Sequence, residues 1–438
     1  MDTTPSTSQV QVKFVTHEAE IAVNPAPILV PSNLKRFGLS QVVNHLLSPT
    51  SPIPFDFVID GSFLRTSLDS YIADNGLTSE SIITLEYVRA AVPPKYLSSF
   101  EHDDWVSSVS VRPGSEPLIL SGAYDGIARV WNLSGEVIGQ AAGHTAGIKS
   151  SRWTDTNSFV TAGLDRSLRT WTYTPDDAEA IQCVAEYVGH TSTVECIATN
   201  SSAQRILSGS ADANIGVWST SINELPPPPA DTVPIRSKRR KVSKSTNAAK
   251  QYGALGYLRG HDSPVSGVMF TPQDSTVAYS VSWDHTIKTW DLTTLTQVDS
   301  RTTQHPLLSI CALPQLSQLA CGSSARHITL HDPRASASSV STATLRGHTN
   351  AVVALSPSPD NQFQLVSASH DGTVRVWDVR AAHSGNLFTI QRQGRDPKIP
   401  ATKVFDVEWN SCGIVSGGED KKIQIDSMPA VEGEQEML

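Results

Sequence analysis

An aspartate followed six residues later by a tryptophan recurs along the last three-quarters of the chain: Asp125/Trp131, Asp165/Trp171, Asp212/Trp218, Asp284/Trp290 and Asp371/Trp377. Four of the pairs follow a Gly-His, so that His144, His190, His261 and His348 stand 21 to 23 residues before their aspartates. A hydroxyl residue lies four positions before each of these aspartates, at Thr161, Ser208, Ser280 and Ser367. A unit that repeats every 40 to 45 residues or so cannot bury its own apolar face and must stack on copies of itself.

The spacing fits a repeat of the WD type, in which each copy is a four-stranded antiparallel blade of short alternating strands such as Arg129-Val130-Trp131. The aspartate sits in a tight turn, often beside glycine (Asp125-Gly126, Asp371-Gly372), where its short side chain tolerates turn geometry. Histidine, hydroxyl, aspartate and indole can then form one hydrogen-bonded chain, stabilising only if every member is satisfied. A His beside an Asp also suggests a catalytic dyad, but fourfold repetition favours a structural role. Two degenerate repeats complete the set. One runs from about His305 to His331, with Ala325 and His331 in the Asp and Trp positions; the other ends at Asp420 and Asp426, with Ser416 four residues before Asp420. The first repeat has Asp104 where histidine is expected. The expectation is a mainly β protein with a seven-bladed propeller over 92–428, its last blade closed by the segment around Lys95 to Phe100. Shared closure of this kind protects the ring's edges.

Composition excludes several alternatives. No run of 18 apolar residues occurs, so no transmembrane helix is expected. Five cysteines, at 183, 196, 311, 321 and 412, contain no C-x-x-C pair and no zinc spacing. The formal net charge of −9 argues against a whole-surface grip on nucleic acid. No G-x-x-x-x-G-K-[ST], H-E-x-x-H or G-x-S-x-G motif is present, and no catalytic residue is assigned.

One local basic patch stands out. Trp218 to His261 is 43 residues, against 13 to 23 for the other intervals, and the excess, residues 219–255, carries Pro226 to Pro229 and then a basic run. Pro, Ser and Lys enrichment predicts a disordered insertion between the third and fourth blades. Lys238, Arg239, Arg240 and Lys241 have the form of a nuclear-import signal. A solvated linker or a nonspecific RNA contact is the alternative.

Residues 10–91 follow a different pattern, between a disordered start at 1–9 and the repeats; an acidic tail at 429–438 ends the chain. Val10 to Val15 alternates as a strand, Glu20 to Val30 supplies a second strand and its exit, and Leu39 to Leu47 has helical spacing with Ser40 as cap. Phe55 to Gly61 reads as strand and turn, Ser67 to Ala73 as a short helix, and Ile82 to Val88 as a last strand. That order is the order of a β-grasp fold. The stretch from Phe57 to Leu68, and Glu80 to Leu85 after it, resembles ubiquitin, without a terminal Gly-Gly. A docking module is therefore expected, not a conjugated modifier.

A ubiquitin-like domain directly ahead of WD repeats is similar to a narrow family of eukaryotic assembly factors for the large ribosomal subunit. The residues that carry the resemblance include Leu34 to Ser40, Val43 to Leu47, Pro54 to Phe57, Leu64 to Leu68, Leu85 to Tyr87 and Pro93 to Trp105. It spans nearly the whole chain apart from 219–255 and the acidic tail. The chain most resembles the WD-repeat member of the PeBoW-type complex; the notchless-type paralogue shares the layout but has eight blades. The resemblance implies block-of-proliferation-type and pescadillo partners, pre-ribosomal particles, and a place in the nucleolus and nucleoplasm, with direct RNA contact secondary. It further implies that the ubiquitin-like domain is a handle for midasin, an AAA-type ATPase whose adhesion site holds magnesium in an incomplete shell. A hard octahedral cation takes a carboxylate oxygen from a partner. By position that carboxylate is Glu80, with Asp74 the nearest competitor, and the magnesium is shared in trans rather than bound by this chain alone. An ordinary exposed turn glutamate is the plainer reading of Glu80. A WD-repeat substrate receptor of a ubiquitin ligase is the alternative function.

Overall fold

Val10, Val12 and Phe14 fall on one side of an alternating strand and are all but fully buried, while Gln9 and Gln11 face outward. That period of two builds most of the molecule. The computed structural model describes residues 8–78, 81–114, 116–175, 181–200, 202, 204–229, 249–335, 342–393 and 402–428. The chain divides into two compact units, one of residues 1–94 with 378–385 and 428–438, the other of residues 95–377 with 386–427.

In the small unit the order is β1 (Gln9–Val15), a 3-10 turn, β2 (Ile28–Pro31), α1 (Arg36–Leu47), β3 (Phe55–Ile59), β4 (Ser62–Phe63), α2 (Leu68–Asp74) and β5 (Ile83–Arg89). The sheet runs β2-β1-β5-β3-β4, with β1 and β5 parallel at its centre. Leu39 and Val43 of α1 lie one helical turn apart and pack with Phe14, Phe57 and Tyr87 in one core. Helix α1 begins three residues earlier than its apolar spacing indicates, and Ser40, expected at its cap, lies inside it. There Ser40 Oγ reaches the Ile53 carbonyl at 3.3 Å and accepts from the Phe55 N–H at 3.2 Å, fastening α1 to β3. The segment expected to supply a second strand and its exit opens with a 3-10 turn at Ala19–Ile21, and the four-residue β2 follows it at Ile28–Pro31.

The large unit is mainly β, a propeller-like ring of WD repeats. Among the described residues it holds seven sheets, six of four strands and one of five. The first strand of each sheet (Val106–Val111, Ile148–Asp155, Val194–Asn200, Val265–Phe270, Leu307–Leu313, Val352–Pro357 and Val404–Asn410) touches the first strand of the next, and the seventh returns to the first. The outermost strand of the seventh sheet is Lys95–Glu101, antiparallel to Lys422–Ser427. Polar bonds cross the centre as well. Asp406 accepts from the Val109 N–H at 3.0 Å and from Arg152 at 3.0 Å, so one carboxylate links the seventh, first and second sheets. The fifth strand of the second sheet, Lys250–Tyr252, comes from the other end of the 219–255 segment and lies parallel to Ile181–Tyr187. Gly253 N–H donates to the Pro226 carbonyl at 2.8 Å, joining the segment's two described ends.

Candidate functional site

The repeat residues come together in four sheets. His144 Nδ1 meets Asp165 at 2.9 Å and its Nε2 meets Thr161 Oγ1 at 2.8 Å, where the Trp171 indole N–H also donates at 2.8 Å. His190, Asp212, Ser208 and Trp218 repeat this at 2.9, 2.8 and 2.8 Å. His261, Asp284, Ser280 and Trp290 do so at 2.7 Å throughout. His348, Asp371, Ser367 and Trp377 follow at 2.8, 2.7 and 2.7 Å. An indole can only donate, so the hydroxyl it bonds must hand its own proton to Nε2, and Nδ1–H must point at the carboxylate. The chain has one polarity, and both histidine nitrogens and the hydroxyl proton are committed within it. Each aspartate also accepts the N–H of the residue after the histidine, as from Thr145 and Thr349 at 3.0 Å. Burial works against the Asp165 carboxylate, but its bonds from His144 and Thr145 outweigh this and hold its pKa at about 2. Asp212, Asp284 and Asp371 are lowered in the same way.

Two sheets solve the same problem with other residues. In the first, the imidazole that packs against Trp131 is that of His102, tilted and 4.8 Å away, and not a side chain at Asp104. Neither His102 nitrogen has a hydrogen-bond partner, and Asp125 instead pairs with Arg129 at 2.7 Å. Burial, with Arg129 adding to it, pushes the His102 pKa down to about 4. In the seventh sheet Arg392 replaces histidine, reaching Asp420 at 2.7 Å and Ser416 Oγ at 2.7 Å. Asp426, in the tryptophan position, accepts from Gln424 at 2.9 Å.

At the centre lies a cavity of about 450 Å³ lined by side chains from all seven sheets. Trp283 is 53% exposed beside it. Tyr124, Phe405 and His370 line its other side, with Phe405 6.1 Å from Tyr124 and 5.9 Å from His370. Trp105, 40% exposed, packs edge-on against Tyr124 at 5.7 Å. Between them Lys149 Nζ reaches the Tyr124 hydroxyl at 3.2 Å and Glu195 at 3.6 Å. Burial opposes the ammonium charge, but Tyr124 and Glu195 outweigh it and hold the Lys149 pKa above the ordinary value. Rigid, half-exposed aromatic rings around a partly buried ion pair offer large contact area at little entropy cost. Sequence reasoning finds none of these residues: they come from separate links and strands, and no spacing ties them together.

Glu80 and the basic run Lys238, Arg239, Arg240 and Lys241 lie outside the described residues. Asp74, the alternative to Glu80, ends α2 and is exposed. Among the described residues no group of three or more His, Cys, Asp or Glu could hold a metal ion.

A family model described as the NLE (NUC135) domain matches residues 10–72. The model described as WD domain, G-beta repeat matches 94–132, 135–172, 181–219, 254–291 and 339–378. The ribosome biogenesis protein ytm1 of Emericella nidulans is 46% identical over 95% of this chain and 95% of its own length. Its counterpart in Neosartorya fischeri is 44% identical over 95% of this chain and 94% of its own. The YTM1 protein of Coccidioides immitis is 46% identical over 95% and 94%.

Proposed function

The chain belongs to the family of the fungal ribosome biogenesis protein Ytm1, and on that premise we propose that it is a non-catalytic scaffold in assembly of the large ribosomal subunit. In this reading the small unit is a β-grasp, ubiquitin-like domain and the ring is a seven-bladed propeller. The propeller docks a block-of-proliferation-type propeller protein and, through it, pescadillo and the pre-ribosomal particle. Ribosomal-RNA processing then depends on the chain as a platform, in the nucleolus and nucleoplasm, with Lys238 to Lys241 as the import signal.

The observation that carries the docking is the aromatic mouth, where exposed Trp283 lines a cavity shared by every sheet and exposed Trp105 packs on Tyr124 and Phe405 at its edge. Such rings are typical anchors of protein interfaces. Affinity purification under mild salt, followed by sedimentation, tests it. Wild type is expected to co-migrate with large-subunit precursors, and Trp283→Ala to leave them while keeping its fold. Unchanged co-migration of Trp105→Ala and Trp283→Ala combined would sink the assignment.

Release is mechanical in this scheme. Glu80 offers its carboxylate to the magnesium of the midasin adhesion site, and ATP hydrolysis in that partner strips the subcomplex from the particle. This chain supplies one oxygen ligand and transmits force; the cation remains the partner's. Glu80→Ala is expected to keep folding and particle association and to block ATP-driven release. Asp74→Ala serves as the control. Normal release from Glu80→Ala particles would remove the handle from the scheme.

A further inference from the structure

The fifth sheet lacks every member of the hydrogen-bonded chain. Cys321 takes the hydroxyl position, Ala325 the aspartate and His331 the tryptophan. Gln304 lies two residues past the outer strand, which ends at Thr302, as His261 lies two past the strand ending at Arg259. An imidazole is smaller than an indole and alanine much smaller than aspartate. A cavity of about 490 Å³ lies there.

Its lining is basic. His305, His327 and His331 reach it from the link and from strand His327–His331, and Arg346 from the outer strand, directly across from His327. No acidic side chain lines it, and Arg346 has no ion-pair partner among the described residues. In the fourth and sixth sheets Thr286 and Thr373 occupy the His327 position and bond the aspartate at 2.6 Å. With that aspartate gone, His327 Nδ1 turns to the Ala325 carbonyl at 2.9 Å. Its Nδ1 proton is thereby committed, and Nε2 becomes a donor only when the ring is protonated. The His305 ring lies edge-on, 5.5 Å away. Burial holds the His327 pKa below its ordinary value, with His305 and Arg346 adding to the effect.

We propose that this cavity is a binding site for a phosphorylated serine or threonine of a partner protein. A phosphoryl group brings nearly two negative charges and three acceptor oxygens, which suits a guanidinium beside imidazoles better than a single carboxylate does. An RNA phosphodiester carries one negative charge and two free oxygens, against the nearly two charges and three oxygens of a phosphorylated side chain, so the guanidinium and imidazoles favour the latter. Binding draws a proton onto His327, so affinity rises as pH falls; His305, His331 and Arg346 are the other titratable groups facing the site. The proposal is independent of the aromatic mouth and of Glu80.

The test is a titration of the full chain, followed through the histidine ring nitrogens by NMR. Sulfate, dianionic across the range, serves as the pH-independent probe, beside O-phosphoserine, glutamate and a short oligouridylate. Sulfate and phosphoserine at about 1 mM are expected to shift His305 and His327, and to leave His144 and His190 unmoved. Affinity for sulfate should be roughly fivefold or more tighter at pH 6 than at pH 8. Glutamate should bind about tenfold more weakly than phosphoserine. Arg346→Ala should abolish the response and Arg346→Lys keep part of it, with the unmoved tetrad histidines reporting an intact fold. Absence of the shifts, or their survival in Arg346→Ala, overturns the proposal. Equal binding of glutamate overturns the choice of phosphate, and tighter binding of oligouridylate reassigns the site to RNA.

Discussion

At the scale of single residues, the polar groups that recur most are the ones least available for chemistry. His348 is bonded on both nitrogens, and Asp371 receives four donors, so truncating either leaves buried partners unmet. Asp371→Ala is expected to cost about 3 kcal/mol in denaturant unfolding, because the His348 and Thr349 N–H groups lose their acceptor. His102 is the informative exception. Its pKa falls from 6.5 to about 4 on folding, so the unfolded chain binds the extra proton in that window. A basic group so lowered contributes no penalty above pH 6.5 and destabilises progressively as pH drops toward 4, by roughly 3 kcal/mol in all. Glu408, raised by burial to about 6, has the opposite slope between 4.5 and 6, so the comparison must be between variants. His102→Phe should unfold at a higher temperature than wild type at pH 4.5, with the gap narrowing by pH 7.5; equal acid sensitivity in scanning calorimetry would refute the account. The difference between Asp104 and His102 also marks how far sequence reaches. Fixed offsets identified the tetrads of His144, His190, His261 and His348, because four copies calibrate one another. Arg392 escaped since it is a different residue type, 28 positions before Asp420 instead of 21 to 23.

At the scale of elements, the seventh sheet depends on a strand from the start of the ring. Phe100, buried and stacked on Trp131 at 5.8 Å, pins Lys95–Glu101 against Lys422–Ser427. Phe100→Ala is expected to cost about 3 to 4 kcal/mol, the usual range for a large buried ring. Amide exchange should accelerate together in both strands, including Ile423 and Ile425, before other sheets respond. Independent exchange in the two strands would contradict the closure. The alternation of apolar residues made such strands legible, since a period of two is visible in seven residues. It did not place the break between the turn and the short strand within Glu20 to Val30, which Asn24-Pro25 and Pro27 mark instead of the apolar pattern. Nor did it reveal Lys250–Tyr252, which pairs with a strand more than sixty positions away.

At the scale of the whole molecule, the proposed docking falls to a surface that no single repeat owns. The mouth draws Tyr124, Lys149, Trp283 and Phe405 from four different sheets, so its affinity depends on the ring remaining closed. Trp283→Ala and Trp105→Ala are each expected to weaken partner association about tenfold or more, with unchanged circular dichroism. A loss below twofold in both would place the interface elsewhere. The formal charge of −9 predicts that this association has a shallow salt dependence compared with a nucleic-acid binder, measurable as the slope of affinity against ionic strength. The return strand Lys250–Tyr252 and the Gly253–Pro226 bond have a consequence for how such a chain can change over time. They tie the departure and the re-entry of the 219–255 segment into one neck, so material added beyond the neck lengthens a loop whose ends are already fixed. Each doubling of its length then costs only about 0.6 kcal/mol, and the ring is a chassis to which new passengers can be fitted without disturbing the seven sheets.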